Sequence, residues 1–102
     1  MKVAFIVGPY RADTINGTVE NIKEAEEWAK KYWQKGYCVI CPHKNTALFD
    51  GLCDDSVWLA GAKELLSRSD VVILTPGWDD SPGSREEYEL AKNLGKEIII
   101  ES

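Results

Sequence analysis

Four short apolar runs, separated by longer stretches with helical spacing, constrain this chain more than any other feature of it. Val3-Ala4-Phe5-Ile6-Val7 is continuously apolar and stops at Gly8-Pro9, the pattern of a strand covered on both faces. Ile22, Ala25, Ala29 and Trp33 then recur near helical spacing from about Thr18 to Lys35, with Asn16 or Thr18 as the expected cap and Gly36 as the stop. Tyr37 to Cys41 reads as a second strand, halted by Pro42, and His43 to Asp54 reads as loop. Val57, Trp58, Ala60, Ala62, Leu65 and Leu66 predict a second helix ending near Ser67, before a third strand at Val71–Leu74. Thr75-Pro76-Gly77 ends that strand, and Trp78 to Gly83 reads as loop. A third helix is expected over Ser84–Asn93, stopped at Gly95, and a fourth strand over Glu97–Ile100. Strands that alternate with helices in this order imply βαβ units, hence a parallel sheet with right-handed crossovers.

With 102 residues the chain is expected to form a single domain over 1–102 and to bury a core without disulfides. No apolar run approaches the ~20 residues of a membrane span, and no basic leader with a cleavage site precedes the first strand, so a cytoplasmic protein without a membrane partner is expected. The net charge of −5 disfavours a nucleic-acid backbone as partner, which needs a basic face. Cys38, Cys41 and Cys53 are an odd set that fits a reducing compartment. Cys38-Val-Ile-Cys41 has CxxC spacing but lies in a strand, where residues three apart point to opposite faces. With one histidine and no second CxxC, no metal site is expected. Neither GxGxxG nor GxxxxGK[ST] occurs, so no nucleotide cofactor is expected.

In an open parallel sheet, ligands sit at the carboxyl ends of the strands, where strand order reverses. Three polar loops end there: Gly8 to Asn16, Pro42 to Asn45, and Thr75 to Ser84. The first supplies Gly8, Pro9, Tyr10 and Arg11: a close-approach glycine, a ring to stack or bond, and a guanidinium able to hold phosphate. The second supplies His43, the third Asp80, Ser81, Gly83, Ser84 and Arg85, a set of anion donors beside a helix start. Asp79-Asp80 and Asp54-Asp55 are either cation ligands or solvated charge. Glu87 admits two readings. Ser84-Arg85-Glu86-Glu87 fits a capping box, in which Glu87 bonds back to the Ser84 amide. Alternatively, Glu87 lies in the first helical turn facing the crevice, held ionised by the helix N-terminus, a carboxylate able to attack an anomeric carbon.

The turn and helix from Ser81 to Ala91 resemble a motif of the nucleoside 2-deoxyribosyltransferases, with Gly83, Glu87 and Ala91 in register. The Ser81–Gly83–Glu87 spacing is also similar to that of the deoxynucleoside 5′-monophosphate N-glycosidases. Gly8-Pro9-Tyr10-Arg11, the CPHKNT stretch and WLAGAKELL before SDVVILTPGW look like small bacterial and phage members of the same superfamily. The resemblance implies that Glu87 is the catalytic nucleophile and that the partner is a small-molecule nucleoside or nucleotide, with hydrolysis of a 5′-monophosphate favoured and non-catalytic nucleotide binding as the alternative. It also implies a homodimer or higher homo-oligomer. Alternation and resemblance together predict an α/β, Rossmann-like three-layer sandwich: about four parallel strands in order 2-1-3-4 with helices on both faces. Two departures stand out. The family's second acid would fall near Ala62-Lys63, where there is no carboxylate, leaving Asp54, Asp55, Glu64, Asp79 and Asp80 as alternatives, and the motif's second glycine is replaced by Glu89.

Overall fold

The computed structural model describes residues Met1–Ser102. Strands β1 (Val3–Val7), β2 (Cys38–Ile40), β3 (Val71–Leu74) and β4 (Glu97–Ile100) form one parallel sheet in the order β2-β1-β3-β4. Its registers place Ala4 beside Val71 and Phe5 beside both Ile40 and Val72. The expected architecture and strand order are thus the observed ones. Helix α1 (Ile15–Gln34) covers one face, while α3 (Asp55–Ser67) and α4 (Pro82–Asn93) cover the other. No helix is long and apolar enough to cross a membrane.

The period of two divides the core. Ala4, Ile6, Val71 and Ile73 meet Ala25, Ala29 and Tyr32 of α1, whereas Phe5, Val7, Val72 and Leu74 meet Leu66 of α3 and Ala91 of α4. Every residue from Ala4 to Val7 and from Val71 to Leu74 is fully buried, the reason these two runs lack polar alternation. The edge strands β2 and β4 are only half-covered.

Several local expectations are corrected. α1 starts earlier than its apolar stripe, because Thr14 is the cap and its hydroxyl accepts from the Gly17 amide at 2.9 Å. Its stripe runs through Tyr32 rather than Trp33, which is 54% exposed. Tyr32 completes the 22, 25, 29, 32 spacing, packs edge-on against Tyr37 and donates its hydroxyl to Glu101. Pro42–Asn45 is not loop but a single helical turn, α2, with Pro42 at its first position, where a missing N–H costs nothing. α3 begins at Asp55, capped by Asp54 through the Ser56 amide at 2.9 Å, which gives that carboxylate a structural task. Trp78–Asp80 is a 3-10 turn following Gly77, whose φ of 90° favours glycine.

Candidate active site

The carboxyl ends of β1 and β3, together with α2, α3 and the start of α4, enclose a cavity of about 740 Å³. The three loops singled out from the order of elements converge on it. Gly8, Pro9, Tyr10, Arg11, His43, Asp80, Ser81, Gly83, Ser84 and Glu87 all line it. Arg85 does not: it is exposed outside and donates to the Asp79 carbonyl at 2.8 Å. Its guanidinium is spent on that carbonyl outside the cavity lining, so in this arrangement it does not donate into the cavity.

Gly8 is required by packing in the chain itself. An added Cβ would lie 2.2 Å from Thr75 Oγ1, the hydroxyl that donates to the Val7 carbonyl at 2.9 Å and ties the ends of β1 and β3 together. Gly8→Ala is expected to lower stability by about 2 kcal/mol in a denaturant titration. Combined with Thr75→Ala it should cost clearly less than the sum of the two single changes, because the clash is then gone.

Tyr10 and Arg11 are committed to the chain itself. The Tyr10 hydroxyl donates to Asp50 at 2.8 Å and accepts from the Leu48 amide at 3.0 Å. Arg11 donates to Asp55 at 2.9 Å and to Asp50 at 3.1 Å, so both arms of its fork already hold carboxylates. The expectation that Arg11 grips a phosphate is therefore corrected. Together the two residues fasten the Thr46–Asp54 segment over one side of the cavity. Leu48 within that segment sits at φ 60°, a left-handed conformation uncommon for leucine.

His43 is 6% exposed, and its Nε2 lies 3.0 Å from the carbonyl oxygens of both Gly8 and Pro9. Two acceptors at that nitrogen require that Nε2 carry the proton, so Nδ1 presents a lone pair, and no partner reaches it. Burial pushes the imidazole pKa down, and the ring is a neutral brace for the loop after β1. The indole Nε1 of Trp58, also lining the cavity, is a second buried polar atom without a partner.

Glu87 departs from both readings of it. α4 begins at Pro82, with Ser81 as its cap and the Ser84 amide 3.4 Å from Ser81 Oγ, so the capping box on Ser84 does not form. Glu87 consequently lies in the second turn, beyond reach of the free amides at the helix start. It is partly buried in the cavity wall, and burial raises its pKa from 4.5 to about 7; Lys63 of α3 opposes the rise and neighbouring Glu86 adds to it. The carboxyl is thus not held ionised by the helix, and it is the group here whose proton is most weakly decided near neutral pH.

Sequence reasoning missed the wall facing Glu87. Trp58 and Lys63 of α3, Asp50 of the preceding segment and Glu86 of α4 all line the cavity, and Lys63 Nζ lies 3.8 Å from Glu86. The only signal was indirect: α3 carries apolar residues on more than one side, as a helix does when it packs on the sheet and also walls a cavity. No three His, Cys, Asp or Glu side chains converge as a metal site, and the three cysteines are free.

No curated protein matches the chain. Its fold is similar to that of a 2-deoxyribosyltransferase from the psychrotolerant bacterium Bacillus psychrosaccharolyticus, with a TM-score of 0.73 and 16% identity over 96% of this chain and 70% of that one. At this identity the likeness is one of fold. The family model described as "Domain of unknown function (DUF4406)" matches residues 7–100, so the chain belongs to that family.

Proposed function

We propose that this protein cleaves the N-glycosidic bond of a nucleoside-type substrate, with Glu87 as nucleophile. One observation carries the reading: a partly buried carboxyl, its pKa raised to about 7, lines a cavity of about 740 Å³ at the carboxyl ends of the strands. That volume is within the range of small-molecule sites. The fold shared with a protein named a 2-deoxyribosyltransferase, and linked by that name to nucleoside synthesis, supports the same reading.

In this mechanism the ionised Glu87 attacks C1′ of the sugar as the base departs, through an oxocarbenium-like transition state, and water resolves the glycosyl ester. A partly desolvated carboxylate is a stronger nucleophile than a solvated one, at the cost of being only half ionised near pH 7. Ser81, Ser84 and the open space beside Gly83 position the sugar end, and Asp80 borders the same side. A 5′-phosphate retains Ser81 and Ser84 as donors but has neither Arg11 nor Arg85, both of which are engaged within the chain.

The test is release of free base from a panel of nucleosides and nucleoside monophosphates, followed by chromatography. The single-turnover rate should climb as pH rises through about 7, following ionisation of Glu87. A flat profile from pH 5 to 9 would count against this carboxylate as nucleophile. A second reading, capture of a nucleotide without chemistry, is favoured by the ammonium of Lys63 standing where a second acid is expected. Ligand recovered intact, together with a rise in melting temperature on binding, would decide for it.

A further inference from the structure

Resting on the N-glycosidic reading, we infer that the cavity selects glycosides whose base carries a positive charge, of the pyridinium or N-alkylpurinium class and without a phosphate. The charge around the cavity is the first reason. Asp50, Asp55, Glu64, Asp80, Glu86 and Glu87 line it, against Arg11 and Lys63 as lining cations, with Arg68 holding Glu64 at 2.7 Å from outside the lining. Arg11 is neutralised by Asp50 and Asp55 at 3.1 and 2.9 Å, and Lys63 stands 3.8 Å from Glu86. A cleft with an excess of one sign of charge concentrates ligands of the opposite sign, so the surplus of carboxylates draws in a cationic base and repels a phosphate dianion. The rings of Tyr10 and Trp58 add aromatic surface of the kind that attracts organic cations.

The second reason is the supply of protons. A neutral base leaves the sugar readily only if an acid protonates it, and neither the imidazole nor the phenol of the cavity wall offers it a free proton. The one unengaged nitrogen of His43 is a lone pair, and the Tyr10 hydroxyl proton goes to Asp50. Glu87 cannot be nucleophile and acid in the same step. A cationic base removes the requirement. As a Glu87 oxygen bonds to C1′, the C1′–N bond breaks and its electron pair passes to the ring nitrogen, which leaves as a neutral molecule with no proton transferred. Water then bonds to C1′ as the ester C1′–O bond breaks, which restores the Glu87 carboxylate and releases one proton to solvent. The balance is cationic glycoside plus water giving sugar, neutral base and a proton.

The experiment compares kcat/KM for nicotinamide riboside, its neutral 1,4-dihydro form, inosine, and nicotinamide mononucleotide, with 2′-deoxy forms alongside. Nicotinamide riboside should exceed both neutral nucleosides by at least about tenfold, a preference worth roughly 1.4 kcal/mol. Its turnover should release one proton per base in weakly buffered solution, and the added 5′-phosphate should lower the rate. Asp80→Asn combined with Glu86→Gln should narrow the preference. Neutral nucleosides cleaved as fast as the pyridinium one would overturn the charge selection and leave the N-glycosidic reading standing. If no glycoside of either charge is cleaved, that reading fails, and charge selection is then read from binding to the Glu87→Gln protein. A melting-temperature rise with nicotinamide riboside and none with its dihydro form supports the selection; equal rises, or none, overturn it.

Discussion

Under the proposed N-glycosidic mechanism, Glu87→Gln is expected to abolish base release, lowering kcat by at least about a thousandfold while leaving the fold intact. Losses of this size and larger follow removal of a nucleophile that forms a covalent intermediate. Glutamine keeps the shape and the amide-sized volume of the side chain, so binding should persist and KM should move far less than kcat. No hydrogen bond of the folded chain depends on the Glu87 carboxylate, which makes the change local. Single-turnover chromatography with excess enzyme separates the two constants. A variant that turned over substrate at even a tenth of the wild-type rate would remove Glu87 from the mechanism.

The same variant should be more stable than the wild type above neutral pH. The Glu87 pKa is raised from 4.5 to about 7 in the folded chain, so folding favours its protonated form. Below about pH 4.5 the carboxyl is neutral folded and unfolded, and glutamine and glutamate should behave alike. As pH rises through 7 the wild type must ionise a partly buried group that the variant lacks, and the stabilising preference for the proton is lost. The upper bound on the difference at pH 8–9 is about 3 kcal/mol, and the solvent reached through the cavity mouth reduces it. For a domain of this size that corresponds to a melting-temperature gap on the order of 10 °C. Thermal melts of both proteins at pH 4.5 and 8.5 measure it, and a gap that did not widen with pH would show that the carboxylate is fully solvated. Loss of turnover and gain of stability in one substitution would mark a group kept for chemistry at the expense of stability.

The parts of this protein that were readable in advance are those decided by local pattern. Val3–Val7 and Val71–Leu74 are apolar at every position because both sheet faces are covered, and no other arrangement suits a run of that kind in a chain of alternating helices. Helix starts were harder. Thr14, Asp54 and Ser81 are the caps used, each upstream of the first periodic apolar residue, and a cap is selected by a single side-chain bond that leaves no periodicity. The shift of one cap from Ser84 to Ser81 moved Glu87 from the first helical turn to the second, and burial, which no local pattern shows, raises its pKa where the helix start was expected to lower it.

The candidate site divides along the same line. By itself the sequence determined the strands, the parallel sheet they form and hence the end of the sheet at which polar loops gather, because burial and chain handedness act through patterns repeated every two or four residues, while the strand order came with the resemblance. Only the tertiary structure decided what those loops do to one another: Arg11 is occupied by Asp50 and Asp55, some forty positions away, His43 is buried with its proton on Nε2, and Lys63 reaches across from α3 toward α4. Such contacts join residues distant in the chain through one bond each. Their strength depends on separation and solvent exposure, quantities that exist only once the helices have packed on the sheet.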